Sequence, residues 1–348
     1  MSRQFIIFIF LTLLSFSGQA KLLLEIPDEK ALDNEEVQVF LPSSYNTSGD
    51  RMYPVIYLLD SSPFYKGDFA KEGVETIRQL ELLHDFPETI IVHLKFENLY
   101  QAVTTKRKVL NSWFQYVVQP EFKEQYRALN KSVFIGFSYS AAWTSAELAL
   151  SDSQITELIS VSPVFDSINY VQLPAKEISN VSNLTIIYGN EEARMIETFE
   201  PIWEKLGLDK RVKVYTLEQE NHQSVYLPGL RKGLLKAFRD YQGPSYKQLA
   251  SESWTPAMVD EYFASRYEHY NVKSTLEELS HLSTMIAKTL TERGDLVLAK
   301  QHWNRSNSPH KRYFIEQISD KLKASGQIEL ADKVTKLADS VELHDEEE

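Results

Sequence analysis

Residues 136–140 read GFSYS and place a serine where its hydroxyl could act as a nucleophile. A β-branched and aromatic run at 133–135 precedes them, and small residues at 140–142 open a helical pattern. A nucleophile elbow needs this order, because the sharp turn between strand and helix lifts the hydroxyl out of the sheet and points the helix N-terminus towards it. The pattern predicts Ser138 as a nucleophile, against the alternative of an ordinary loop serine.

A serine hydroxyl needs a base, and the sequence offers one candidate. The strand-like run 212–217 leads into a polar loop that contains His222. It is the only histidine between Ser138 and the charged C-terminal region. A nucleophile on a strand–turn–helix elbow is followed along the chain by an acid and then by a histidine. We therefore predict His222 as the general base.

The acid that would orient His222 has three candidates. The strand-like run 186–188 ends in Gly189, and Glu191 and Glu192 follow closely. We favour Glu192 as the acid, with Glu191 next and Asp166, after the preceding strand, third. Because a helix N-terminus also favours glutamates for structural reasons, the choice among the three stays open.

An oxyanion hole is expected from two backbone amides near the nucleophile. One is the amide of Tyr139, the residue after Ser138, and the other should come from the loop after the third predicted strand. That loop contains Ser61 and Ser62, whereas Pro63 has no N–H to donate.

Aromatic residues near the predicted strand ends are candidate walls of a substrate pocket, although each suits a core position equally well. They are Phe64, Tyr65, Trp143 and Phe165. The sequence contains no metal-binding motif, no glycine-rich phosphate loop and no cofactor motif, so neither a metal nor a cofactor is expected.

Residues 21–243 must supply the elements that position these groups. Near-continuous apolar runs, typical of strands buried on both faces of a parallel sheet, alternate with helical patterns. The region is predicted to be α/β, a sandwich with a mainly parallel sheet. The strand-like runs are 36–41, 53–60, 89–93, 133–135, 158–161, 184–188 and 212–217, and the helical patterns lie near 110–127, 139–150, 192–205 and 228–241.

Residues 244–340 are charged and helix-periodic, and predict an all-α domain of helical hairpins. A pattern of Ile, Leu, Gly and Leu-Ala that starts at Ile286 recurs 32 residues later from Ile318. Each copy predicts a helix, a glycine turn and a second helix, similar to a tetratricopeptide-type hairpin. Because two such units rarely stand alone, we expect them to pack on another surface, with a homodimer or a protein partner as candidates. Residues 341–348 form an acidic tail expected to be disordered.

Residues 1–20 have the pattern of a cleaved secretory signal peptide. Arg3 precedes an apolar run, and small residues end at Ala20. The apolar run is short for a membrane span, so no stable span is expected after cleavage. The absence of cysteine excludes disulfides, and a bacterial periplasmic or secreted protein is predicted. The net charge of −12 argues against nucleic acid as a partner.

Four motifs occur in a fixed order along the chain. They are YPVIYLLD at 53–60, the Ser138 elbow, ISVSP at 159–163 and NHQSV at 221–225. Together they resemble motifs of the esterase D-like branch of the α/β-hydrolases, which includes siderophore esterases, S-formylglutathione hydrolases and feruloyl esterases. The resemblance covers residues 25–242.

The resemblance implies the α/β-hydrolase fold, with Ser138 as nucleophile, His222 as base and Glu192 as acid. The elbow departs from the family pattern G-H-S-x-G-G, because Phe137 replaces the histidine and Ser140-Ala141 replace the glycines. Ser61 likewise stands where the family usually has glycine. Ser140 adds bulk beside the nucleophile and could narrow the oxyanion hole.

These features predict an exported serine esterase that cleaves a small-molecule carboxylic ester through an acyl-enzyme intermediate. Two rival hypotheses remain. The first is a weakly active or inactive hydrolase fold that binds a protein partner through its helical repeats. The second keeps the nucleophile and changes the acceptor, which gives an acyltransferase or a peptidase.

Overall fold

The computed structural model divides into two compact units, Met1–Arg239 and Asp240–Glu348. It describes residues 19–22, 35–59, 69–83, 86–148, 153–164, 183–190 and 211–341.

An eight-stranded sheet in the order β1-β2-β4-β3-β5-β6-β7-β8 is the centre of the first unit. Strands β3 to β8 run parallel to one another, and β2 pairs antiparallel with both β1 and β4. The mainly parallel sheet predicted from the apolar runs is therefore confirmed. The strands are β1 (Gln19–Leu22), β2 (Glu35–Phe40), β3 (Tyr53–Leu59), β4 (Ile90–Phe96), β5 (Ala128–Phe137), β6 (Glu157–Val161), β7 (Asn183–Gly189) and β8 (Val212–Leu217).

Helices cover both faces of this sheet, as its apolar strands require. The described helices are α1 (Phe69–Leu82), α2 (Leu99–Thr104), α3 (Arg107–Trp113), α4 (Gln119–Gln125), α5 (Tyr139–Trp143) and α6 (Tyr226–Ala237), with π-helical turns at Phe114–Val118 and Thr144–Leu148. On one face, the glycines Gly229 and Gly233 let α6 approach β6 closely. A Cβ on Gly229 would lie 2.8 Å from a methyl of Val161, and a Cβ on Gly233 would lie 2.5 Å from a methyl of Ile159.

The opposite face of the sheet is packed with aromatic rings. Tyr57 and Phe134, on neighbouring strands, both meet Phe114 edge to face at ring-centroid distances of 5.0 Å. Burial raises the pKa of the Tyr57 phenol well above its usual range. This layer gives β3 and β5 a rigid base.

A charged cluster anchors the amino ends of β3 and β4. Glu88 accepts hydrogen bonds from the hydroxyls of Ser43 and Ser44 and from Arg51, whose Nη1 lies 3.0 Å from the carboxylate. Burial raises the pKa of Glu88, but the hydrogen bonds from Ser44 and Ser43 and the Arg51 charge together lower it below its usual value. The cluster stabilises the amino edge of the parallel strands, opposite to the carboxyl edge at which Ser138 lies.

The second unit is helical. Its helices are α7 (Tyr246–Ser251), α8 (Pro256–Tyr270), α9 (Leu276–Arg293), α10 (Leu296–Arg305), α11 (Lys311–Ala324) and α12 (Ile328–Ala338). Ser245 and Thr275 close capping boxes at the starts of α7 and α9. The predicted C-terminal region of helical hairpins is confirmed.

The two hairpins repeat the same construction. In α9–α10 the turn contains Gly294 at φ 86°, and in α11–α12 it contains Gly326 at φ 80°. The corresponding side chains of Ile286 and Ile318, one in each first helix, are both buried. Each turn requires a left-handed backbone conformation, which glycine adopts more easily than other residues, and this explains why both turns contain a glycine.

No helix in the stretches described above is long and apolar enough to cross a membrane. The predicted signal peptide lies outside the described residues up to position 18, and the acidic tail lies outside them from position 342. Strand β1 spans the predicted cleavage point after Ala20, so cleavage there would leave Lys21 and Leu22 to pair with β2.

Candidate active site

The candidate catalytic residues meet at the carboxyl edge of the parallel strands. Ser138 directly follows β5, Ser162 directly follows β6, and His222 lies in the loop after β8. Ligands and reacting groups of open parallel sheets lie at this edge, because the strand ends and the loops that follow them converge there.

Ser138 has a strained backbone. Its φ of 60° and ψ of −118° lie outside the regions that L-residues normally populate. Such a conformation costs about 1–3 kcal/mol and persists only where the surroundings enforce it. Here the Ser138 amide donates to the Val161 carbonyl at 3.0 Å, and the Ser138 carbonyl accepts from the Ala142 amide at 3.1 Å. This is the geometry of a nucleophile elbow.

Gly136 allows α5 to start so close to β5. A Cβ at this position would lie 2.5 Å from the Thr144 hydroxyl oxygen and 2.6 Å from the Ser140 carbonyl oxygen. The Ser140 side chain is also part of the turn, since its hydroxyl accepts from the Phe137 amide and donates to the Phe137 carbonyl, both at 2.8 Å. The Ser140 hydroxyl therefore bonds to the end of β5.

The loop after β8 is shaped by its own side chains. The Asn221 side-chain oxygen accepts from the amides of Gln223 and Ser224, and the Asn221 amide donates to the Ser224 hydroxyl at 2.9 Å. The loop is tied to the end of β7, because the Asn190 amide donates to the Glu220 carbonyl at 3.0 Å. His222 is thereby held over the carboxyl ends of the strands.

The imidazole of His222 lies between two serine hydroxyls. Its Nε2 is 3.1 Å from Ser138 Oγ, and its Nδ1 is 2.7 Å from Ser162 Oγ. The first distance is within the range that a general base needs to take the proton of a nucleophile. The arrangement can therefore activate Ser138 for attack on an electrophilic carbon.

Phe137 packs against the face of the His222 ring. The two rings are nearly parallel, with centroids 5.4 Å apart and planes inclined by 26°. Phe137 is buried and also contacts Tyr226 of α6 at 5.0 Å. Phe137, the residue before Ser138, thus packs on one face of the imidazole.

Ser162 was not among the candidates from the sequence. It is fully buried and adopts a φ of 49°, and its amide donates to the Ile187 carbonyl at 2.7 Å. One feature of the sequence could have indicated it: Ser162 directly follows a predicted strand and precedes Pro163, which places it at the same edge of the sheet as Ser138.

The first predicted oxyanion amide belongs to Tyr139, the first residue of α5. A first-turn amide has no acceptor within its own helix, so the N–H of Tyr139 lies beside the nucleophile without a helical partner. The other predicted donors, Ser61 and Ser62, lie outside the described residues.

Several other predicted site residues also fall outside the described stretches. They are the three candidate acids, Glu192, Glu191 and Asp166, and the pocket candidates Phe64, Tyr65 and Phe165.

The prediction that Trp143 lines a substrate pocket is wrong. Its side chain is fully buried in the core, packs on Phe134 with ring centroids 5.5 Å apart, and donates from Nε1 to the Arg107 carbonyl. Tyr100 of α2 meets Tyr139, the residue after the nucleophile, edge to face at 5.2 Å, and it is 40% exposed.

Within the ranges that the structure describes, no group of three histidine, aspartate or glutamate residues could hold a metal ion.

The sheet order, the elbow after β5 and the histidine after β8 define an α/β-hydrolase fold, which confirms the fold that the sequence resemblance implied. Solved structures share it at low sequence identity. An IroE-like serine hydrolase from Shewanella oneidensis has a TM-score of 0.54 and 16% identity, over 92% of this chain and 99% of its own. The siderophore hydrolase EstA from Aspergillus nidulans has a TM-score of 0.50 and 14% identity, over 66% of this chain and 99% of its own.

A third similar structure is the BES protein from Bacillus cereus, with a TM-score of 0.50 and 15% identity over 68% of this chain and 99% of its own. No protein-family model matches the sequence, and no curated protein matches it.

Proposed function

We propose that the protein is a serine carboxylic-ester hydrolase. The observation that carries this proposal is the Ser138 hydroxyl on a strained elbow, 3.1 Å from Nε2 of His222. A strained backbone at a polar residue is typical of a functional site. The names of two structures that share the fold, a serine hydrolase and a siderophore hydrolase, agree with an ester as the substrate.

In the proposed reaction, Ser138 Oγ attacks the ester carbonyl carbon while His222 Nε2 takes the hydroxyl proton. The carbonyl oxygen becomes an oxyanion, which accepts a hydrogen bond from the Tyr139 amide and from a second amide assigned to Ser61 or Ser62. Collapse of this intermediate breaks the ester C–O bond, and the leaving alcohol receives the proton from His222. The acyl group remains on Ser138.

Water completes the cycle. His222 accepts a proton from the water, which attacks the acyl carbonyl, and then returns that proton to Ser138 Oγ as the carboxylic acid leaves. We assign the acid of the triad to Glu192, with Glu191 and Asp166 as the alternatives.

We also propose export through the N-terminal signal peptide to a periplasmic or secreted location. The helical unit is proposed as a tetratricopeptide-like domain, supported by its two hairpins with matching glycine turns. A partner or a second copy of the chain would bind there.

The proposal is tested with p-nitrophenyl esters of increasing acyl length. The wild type is expected to release p-nitrophenol, and His222→Ala is expected to lose nearly all of this rate because Ser138 then has no base. Ser160→Ala is the matched control. It removes a buried serine hydroxyl of β6 that bonds to Ser145 and to the Ala141 carbonyl rather than to the site.

Absence of turnover by the folded wild type on every ester would contradict the proposal and favour the binding-module hypothesis. Acyl transfer to added alcohols or amines in preference to water would instead identify an acyltransferase.

A further inference from the structure

The Nδ1 atom of His222, the ring nitrogen opposite to the one that faces Ser138, contacts the hydroxyl of Ser162. Ser162 Oγ lies 2.7 Å from this nitrogen, which is a short distance for a neutral hydrogen bond. The Ser162 side chain is fully buried, so bulk water does not compete for the contact. Ser162 therefore faces the nitrogen of the ring that Ser138 does not use.

The direction of the hydrogen bond follows from the chemistry of the base. To take the Ser138 proton, Nε2 must present a lone pair, so the neutral ring must carry its hydrogen on Nδ1. That hydrogen then points at Ser162 Oγ, which accepts it.

The backbone of Ser162 is held in an unusual conformation to make this contact. Its φ of 49° lies in the left-handed region, which is uncommon for serine. The residue before a proline is also normally extended, and Pro163 follows it. The bond from the Ser162 amide to the Ile187 carbonyl at 2.7 Å maintains this geometry. Local strain of this kind is expected where it serves a function.

We propose that Ser162 is a positioning residue of the catalytic base: its hydroxyl accepts the Nδ1 hydrogen of His222 and so holds the ring with Nε2 turned towards Ser138. The proposal rests on the proposed hydrolase function and adds Ser162 to the groups that hold His222 in place. Phe137 fixes the plane of the ring, and Ser162 fixes its rotation within that plane.

The test compares Ser162→Gly with Ser162→Ala. Both remove the hydroxyl, but glycine adopts a φ of 49° without strain, whereas alanine keeps the strain of the wild type. If Ser162 only shaped the backbone, the glycine variant would keep its activity. We expect both variants to lose kcat by about 100-fold, because the base is misplaced. KM should change by less than about twofold, because Ser162 contacts His222 and not the substrate.

The second readout does not need turnover. The ¹⁵N signals of the His222 ring, assigned by their loss in His222→Gln, report which nitrogen carries the hydrogen. In the wild type Nδ1 should be protonated at a pH where the ring is neutral, and Ser162→Gly should reduce that preference. Ser160→Ala should leave both kcat and the ring signals at their wild-type values.

Wild-type kcat and unchanged ring signals in Ser162→Gly would overturn the proposal. So would a loss of the Nδ1 preference in Glu192→Gln but not in Ser162→Gly, since the carboxylate would then be the direct partner. If the wild type hydrolyses no ester but its ring signals still depend on Ser162, the hydrolase function fails and the assignment of the contact stands.

Discussion

The two units differ in which residues occupy left-handed backbone positions. In the helical unit these positions belong to Asn271, Gly294 and Gly326, at or just past the ends of helices, where such residues are common. In the first unit one belongs to Gly49, in the turn between β2 and β3, and the two at the carboxyl edge of the sheet belong to Ser138 and Ser162. Glycine adopts the conformation at no steric cost and asparagine tolerates it, whereas serine does so under strain.

We propose that this difference separates turns that serve folding from turns that serve chemistry. Gly294 and Gly326 end a helix and let the chain reverse, which any hairpin needs. Ser138 and Ser162 instead place one hydroxyl on each side of the His222 ring, and backbone hydrogen bonds to neighbouring strands hold them there. A residue that keeps an unfavourable conformation and a polar side chain at once is a candidate for function.

The largest expected effect is at Ser138. Ser138→Ala should lower kcat for an activated ester by at least about 10⁴-fold, since the nucleophile is removed. Ser138→Gly should be equally inactive but more stable than Ser138→Ala by about 1 kcal/mol, because glycine relieves the strain at φ 60°. Ester assays and thermal unfolding check both expectations. Equal stability of the two variants would show that the elbow is not strained.

A smaller effect is expected at Phe137, which holds the plane of the base. Phe137→Leu keeps an apolar side chain but removes the ring stack on His222. A ring contact of this kind contributes about 1 kcal/mol, so kcat should fall by about 5- to 10-fold with KM nearly unchanged. Steady-state kinetics measure the two constants. A change confined to KM would mean that Phe137 acts on substrate binding.

In the helical unit, the prediction concerns stability alone. Gly294→Ala and Gly326→Ala should each destabilise the unit by about 1–2 kcal/mol, because alanine must adopt a positive φ. Gly294→Ala should cost more, since its Cβ would lie 3.2 Å from a methyl of Leu330, whereas nothing lies within 4 Å at Gly326. Hydrogen exchange across residues 276–338 reports the change. Both variants should keep full ester hydrolysis, and a loss of activity would contradict the separation of roles.

The smallest effect is the pH dependence of the pair between Arg266 and Glu278. Arg266 donates to both carboxylate oxygens, at 2.9 and 2.8 Å. Burial raises the pKa of Glu278, but the hydrogen bonds from Arg266 and the Thr275 amide and the Arg266 charge outweigh it and lower the pKa below its usual value.

A carboxyl whose pKa is lower in the folded state stabilises that state above its unfolded pKa, and this stabilisation is lost as the pH falls through the folded pKa. The Glu278 side chain is 40% exposed, so we expect less than about 1 kcal/mol. The wild type should lose this advantage over Glu278→Gln below about pH 4.5, as measured by hydrogen exchange of α8 and α9. An advantage that persists at low pH would assign the pair a purely steric role.

The sequence was sufficient to predict the sheet, the helical hairpins and the positions of Ser138 and His222 after their strands. These depend on local pattern and on order along the chain, namely an apolar run, a glycine and small residues for the elbow, and a single histidine in the right interval. The close approach of Thr144 and Ser140 gives the physical reason for the glycine at position 136.

Ser162 and Trp143 show where the sequence was insufficient. The role of Ser162 depends on a backbone conformation and on a contact with a residue 60 positions away, and neither leaves a local pattern. Trp143 lies one turn after the nucleophile, and only the packing of α5 reveals that its side chain points into the core. The contact of Tyr100 with Tyr139 was not predicted, because Tyr100 lies in α2, between β4 and β5, whereas Tyr139 follows β5.

The most direct test of the central claim is labelling of the purified protein with a fluorophosphonate probe, followed by mass spectrometry of its peptides. An activated serine forms a covalent adduct with this reagent, whereas ordinary serines do not. We expect one adduct, on Ser138, that is absent from Ser138→Ala and strongly reduced in His222→Ala. A folded wild type without an adduct, or with its adduct on another serine, would contradict the account.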